Sequence, residues 1–139
     1  MSTQQQGIIE ALHGLLVTVA GVATVTKNRP HDEPFGLNQL PAINVSAVGS
    51  EVIAEHSAGT DERLTVIISV FCTGSTASNS STDYLSAALG KIGTDETLSG
   101  RAIDARKVKR ITTSIKTEVL SAEAHQEITI DYRTPRWGF

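Results

Sequence analysis

The sequence is short of most residues that chemistry usually needs. It has one cysteine, Cys72, in 139 residues, so no intrachain disulfide can form and no cysteine-based metal site can be built. A lone thiol ending an apolar strand is ordinarily structural, and no nucleophile signature surrounds Cys72. The four histidines, His13, His31, His56 and His125, include no pair at the i, i+4 spacing of a helical zinc site. His31, Asp32 and Glu33 are adjacent, and adjacent side chains rarely converge on one ion. No Gly-x-Ser-x-Gly elbow occurs, and Gly90-Lys91 has Leu85 where a phosphate-binding loop needs glycine. The expectation is a protein that is not an enzyme and holds no cofactor and no metal.

Positive charge is not in excess either. The formal net charge is −3 and the pI about 5.8, which gives no global field to draw in nucleic acid or an anionic membrane. The longest apolar stretch, 15–25, is broken by Thr and Gly and is too short to cross a bilayer. Residues 1–6 lack the basic start of a signal peptide. A soluble protein folding in a reducing compartment is expected, so the sequons at Asn44 and Asn79 read as chance.

Hydrophobic residues make up 40% of the chain, which suits one domain with a modest core. A chain of this length buries roughly two-thirds of its unfolded surface. Ile8, Ile9, Leu12, Leu15, Leu16 and Val19 share one helical face, predicting a helix over 3–20 with Thr3 and Gln6 as its capping box and Gly21 as its stop. A short strand follows at 22–27. Residues 28–41 hold Pro30, Pro34, Gly36 and Pro41, so no regular element runs through them. Long loops inside compact domains tend to be functional. Arg29, His31, Asp32, Glu33, Phe35 and Leu37 are therefore candidate residues of a mobile docking loop.

Residues 42–56 predict a strand bent near Gly49, and 62–72 the strongest strand, apolar on both faces and so central. The two make a hairpin. A Ser/Thr-rich loop at 73–81 precedes a helix over 82–93 with Tyr84, Leu85, Ala88, Leu89 and Ile92 on one face. Strands at 107–120 and 124–133 follow. A turn near Ser121-Ala122 sets Ile115 opposite Ile128, Ile111 opposite Tyr132 and Lys116 opposite Glu127, so core and charge agree on one register. The fold class is α+β: a mixed, mostly antiparallel sheet of about four to five strands packed with two helices, in the order α-β-β-β-α-β-β, as a single domain over 1–139.

Six of the 12 Lys and Arg fall between 101 and 116, with Asp104 the one acid among them. They are Arg101, Arg106, Lys107, Lys109, Arg110 and Lys116. No aromatic residue is interleaved for base stacking, so a charged surface between subunits outweighs a nucleic-acid patch. The end of the chain carries Arg136, the single tryptophan Trp137 and Phe139 beyond Pro135. This tail either folds back on its own domain or anchors in a neighbouring subunit, as Trp and Arg do at interfaces.

The layout resembles the tail terminator proteins of long-tailed bacteriophages, the family of the lambda tail terminator. The likeness rests on the opening helix from Ile8 to Val19, the strand entry 40–45 (LPAINV), the strand 62–68 (ERLTVII), the helix from Tyr84 to Ile92, the connection 95–100 (DETLSG) and the closing strand 128–134 (ITIDYRT). It covers nearly the whole chain; the loop 28–41 and the aromatic tail fall outside it. The resemblance implies a virion protein at the head-proximal end of the tail, present in host cytoplasm during assembly. It implies a ring, six subunits in number, that caps the tail tube, ends its polymerisation and offers a surface to the head–tail connector. DNA then passes through the lumen without sequence recognition, and no membrane is involved. Other neck or tail-completion proteins share much of this pattern. A small nucleic-acid-binding module using 101–116 is the rival of another class, which salt-dependent DNA binding would favour.

Overall fold

A computed structural model describes residues 3–30, 35–57, 59–74, 77–95, 98, 104–107, 112–116 and 121–134. The order is α1 (Thr3–Leu16), β1 (Thr24–Lys27), a 3-10 turn (Leu37–Gln39), β2 (Ala42–His56), β3 (Gly59–Thr73), α2 (Ala77–Gly93), β4 (Asp104–Lys107), β5 (Thr112–Lys116) and β6 (Ser121–Thr134). This is the expected α+β arrangement with one short strand more. No helix among the described residues is long and apolar enough to cross a membrane.

α1 buries Ile8, Ile9, Leu12 and Leu16, the face its periodicity announced. It ends four residues earlier than the periodicity suggested. Val17, Thr18 and Val19 are three β-branched residues in a row, and the Thr18 hydroxyl donates to the Leu15 carbonyl at 2.6 Å, a local bond that competes with the helix. The tightened turn still returns Val19 to the core. Gly21 then takes a φ of 85°, and a Cβ there would lie 2.9 Å from the Tyr84 hydroxyl. Glycine thus lets α2 pack against the end of α1.

α2 starts five residues before the predicted Thr82. Its first turns are Ser- and Asn-rich and read as loop. Yet Ser81, fully buried, sits one turn before Leu85 on the face completed by Ala88 and Ile92. A small residue lets the helix approach the sheet.

The sheet runs β1-β2-β3-β6-β4, with β5 also on β6. β1 is parallel to β2 and every other pairing is antiparallel. β3 is central, as its two apolar faces require. Leu64, Val66, Ile68, Val70 and Cys72 of β3, Ile43 and Val45 of β2, and Ala122, Ala124, Ile128, Ile130 and Tyr132 of β6 form one buried cluster with the helices. β3 and β6 pair without interruption from Thr60↔Thr134 to Thr73↔Ser121.

The last hairpin corrects the expected register. β6 already begins at Ser121, where the turn was placed, so Ile115 pairs with Ala122 and Lys116 with Ser121. Glu127 lies opposite Ile67 on its other side. The slip is an even number of residues, so the inward parity of Ile128, Ile130 and Tyr132 survives it. Counting inward parity therefore could not distinguish the two registers. What was read as one strand over 107–120 is two, β4 opposite 128–131 and β5 opposite 121–125, offset by two residues. Ile111 lies outside the described residues.

Candidate functional site

The face of the sheet turned away from the helices carries polar and aromatic side chains, and Arg29 and Phe35 meet it. Asn44, 7% exposed, is the tie. Its Oδ1 accepts the Thr26 hydroxyl at 2.8 Å and the Arg29 amide at 3.2 Å. Its Nδ2 donates to Ser46 Oγ at 2.9 Å. A buried Asn so engaged is no glycan acceptor, and Asn79 lies inside α2. Phe35 packs against Phe71 with the rings tilted and their centroids 5.1 Å apart, and the Arg29 guanidinium sits 4.1 Å over the Phe35 ring. Of the candidate docking loop, Arg29 and Phe35 are thus brought together against the sheet. Leu37 lies in the 3-10 turn; His31, Asp32 and Glu33 lie outside the described residues.

Phe71 meets the edge of His125 at 6.1 Å. His125 Nδ1 is 2.8 Å from Ser69 Oγ and its Nε2 is 3.4 Å from Glu123. These are the residue types of a hydrolytic triad in another arrangement. Ser69 and His125 are a cross-strand pair of β3 and β6, Ser69 is 8% exposed, and the carboxylate is two residues along the same strand. The cluster's evident effect is to lock the two strands. Burial pushes the Cys72 thiol up, away from the reactive thiolate. No group of three His, Cys, Asp or Glu able to hold a metal occurs among the described residues.

Further along the same pair of strands, Arg63 forks onto Asp131 at 2.8 and 3.2 Å. Arg133 forks onto Asp61 at 2.7 and 3.4 Å. Donating to the Asp131 carboxylate raises the Arg63 pKa, and donating to Asp61 raises the Arg133 pKa. Two reciprocal ion pairs at matched rungs fix one register.

No protein-family model matches the chain, and no curated protein sequence matches it. Solved structures do. The chain is similar in fold to a bacteriophage protein, SPP1 gp17. The TM-score is 0.56 at 15% identity, over 95% of this chain and 90% of SPP1 gp17. A chain from the virion of a native gene transfer agent particle also matches, at 13% identity and TM-score 0.47 over 96% of each chain. SPP1 gp17 shares both layers, helices and sheet, since so little of either chain is left out.

Among the basic candidates, Arg106 and Lys107 belong to β4 and Lys116 to β5, so these three lie on one edge of the sheet. Arg101, Lys109 and Arg110, and the tail residues Arg136, Trp137 and Phe139, lie outside the described residues. A surface that the sequence reading missed is on β2. Val48, Val52 and Ile53 are 62, 55 and 41% exposed, and register shifts fall between Ala47 and Gly49 and between Val52 and Ala54. The signal was there: after the alternation Ile43, Val45, Ala47, the apolar residues Val48 and Val52 fall out of phase, and Val52-Ile53 are consecutive, as happens where a bulge inserts a residue.

Proposed function

We propose that this chain is a structural virion protein that forms a ring on the phage tail tube, ends tube polymerisation and provides the interface for head–tail joining. The observation that carries the reading is the fold shared with SPP1 gp17 across nearly the whole chain. Its partners are copies of itself in a hexamer, the tail tube protein and the head–tail connector. It sits at the head-proximal end of the tail and in host cytoplasm during assembly. The work is done by surfaces, without catalysis. DNA passes through the lumen unread, and a chain of net charge −3 does not retain a polyanion.

Within this reading, Arg101, Arg106, Lys107, Lys109, Arg110 and Lys116 orient one subunit on the next, and Arg136, Trp137 and Phe139 anchor in a neighbour. The segment 28–41 is the docking loop, seated at rest through Phe35 and ordered further by its partner. Native mass measurement of the purified protein, with electron microscopy of tails grown with and without it, tests the whole. A discrete ring and overlong tubes in its absence are expected. Tubes of normal length that fail to join heads would assign it to the neck or tail-completion class instead. A lone monomer whose absence leaves tails and joining unchanged would refute the proposal.

A further inference from the structure

The outer edge of β2 changes character at one residue. β1 covers it from Ala42 to Val45. Asn28, at a φ of 50°, extends the cover: its amide donates to the Val45 carbonyl at 2.7 Å and its Oδ1 accepts the Ala47 amide at 2.9 Å. The first bulge follows at Val48. From there to His56, no described strand pairs with β2 on that side, while β3 holds the other. Three of the four exposed large hydrophobics among the described residues, Val48, Val52 and Ile53, lie in this stretch.

Charge divides the same way. Residues 30–62 hold six of the 15 acids and no Lys or Arg, whereas 101–116 hold six of the 12 bases and one acid. Asp61 is engaged by Arg133, and Glu62 accepts the Thr134 hydroxyl. Glu51 and Glu55 are the exposed carboxylates of the β2 edge. Arg106 and Lys107 of β4 and Lys116 of β5 lie at the opposite edge of the sheet.

We propose that residues 48–56 of β2 are the docking surface for a second copy of this chain, which presents its β4–β5 edge. This rests on the ring reading and names the contact that closes the ring. Acidic and basic edges on opposite sides of one sheet make the contact head-to-tail, the heterologous type that generates rings. Val48, Val52 and Ile53 supply the apolar centre, and Glu51 and Glu55 set partner and orientation. The two bulges break the spacing of backbone donors and acceptors, so side chains carry the contact and the sheet is not extended indefinitely by strand addition.

The test is a charge swap between edges. E51K/E55K and R106E/K116E are each compared with the unaltered protein by sedimentation velocity and native mass measurement, with melting curves to confirm folding. Each variant alone sets like charges against each other and should need about tenfold more protein, or more still, to assemble. Mixed together, they restore opposite charges at every contact, and rings should return. V52S/I53S should weaken assembly without lowering the melting temperature measured at a concentration too low for assembly. If R106E/K116E does not fold, R106E alone replaces it in the mixture. An unaltered protein that stays monomeric at every concentration defeats the ring reading itself. Rings in the unaltered protein that persist in E51K/E55K, or a mixture that fails to recover, overturn the assigned surface and leave the ring standing. Intact self-assembly with loss of binding to purified tail tube protein also overturns it, and gives the patch to that protein.

Discussion

The two halves of β2 share one strand and one neighbour, yet obey different rules. From Ala42 to Ala47 the ladder is regular, Ile43 and Val45 are fully buried, and β1 with Asn28 closes the edge. From Val48 onward the ladder is bulged twice and valines face water. The near half has helices above it, so every apolar side chain lowers the free energy of the single protomer. Gln5, which donates to Ser50 Oγ at 3.0 Å and to the Tyr132 hydroxyl at 2.7 Å, marks how far the helix layer reaches. Beyond it, apolar side chains stay 41–62% exposed and gain less within one protomer. A surface retained there at the risk of aggregation is explained by what it meets.

The largest expected effect separates the halves directly. Ile43→Ala, at a fully buried site in the near half, should cost about 2–5 kcal/mol of unfolding free energy. Val52→Ala should stay within about 0.5 kcal/mol, as surface changes do. Urea denaturation at a protein concentration too low for assembly reads both. A cost at Val52 matching that at Ile43 would show that the far half packs inside its own protomer and would dissolve the distinction.

This division also explains what could be read from the sequence. Buried periodicity announces itself: the α1 face, the α2 face, the central β3 and the inward parity of β6 were all legible because one helical or one strand period governs each. The register of β5 on β6 was not, because parity is blind to an even slip and the ladder of small residues Ala122 and Ala124 offers no volume cue. The exposed β2 edge was missed because a strand was sought, and a broken alternation looks like noise until a bulge is seen. The cover of the outer face by Phe35 was also out of reach, since nothing in a Pro-rich segment states which way it folds.

A middle-sized effect probes what closes the near half. Asn44→Ala leaves the Thr26 hydroxyl and the Arg29 amide without their shared acceptor. A lost acceptor at a buried site costs about 1–3 kcal/mol. The change should also speed protease cleavage within 28–41, because the Arg29 amide then loses its bond to Asn44. Unaltered cleavage would mean that the aromatic stack alone seats the segment, and Phe35→Ala would then release it.

The smallest effect concerns the tie between α1 and β1. Lys27 Nζ donates to Glu10 Oε1 at 2.5 Å, and this hydrogen bond with the ammonium charge lowers the Glu10 pKa. A depressed folded pKa means that unfolding binds a proton in the window between the two values. The pair therefore contributes above the unfolded carboxyl pKa of about 4.3, and its contribution disappears as pH falls through the lower folded value. Both side chains are substantially exposed, so solvent screens the pair. Glu10→Gln should lower the melting temperature slightly at neutral pH and low salt, and the difference should shrink in high salt and vanish in strong acid. His13 makes a second link between the same elements, its Nε2 lying 3.2 Å from the Val25 carbonyl. A difference that survives both salt and acid would therefore mean that Glu10 acts through packing of the helix end, and that the near edge is closed by shape without help from charge.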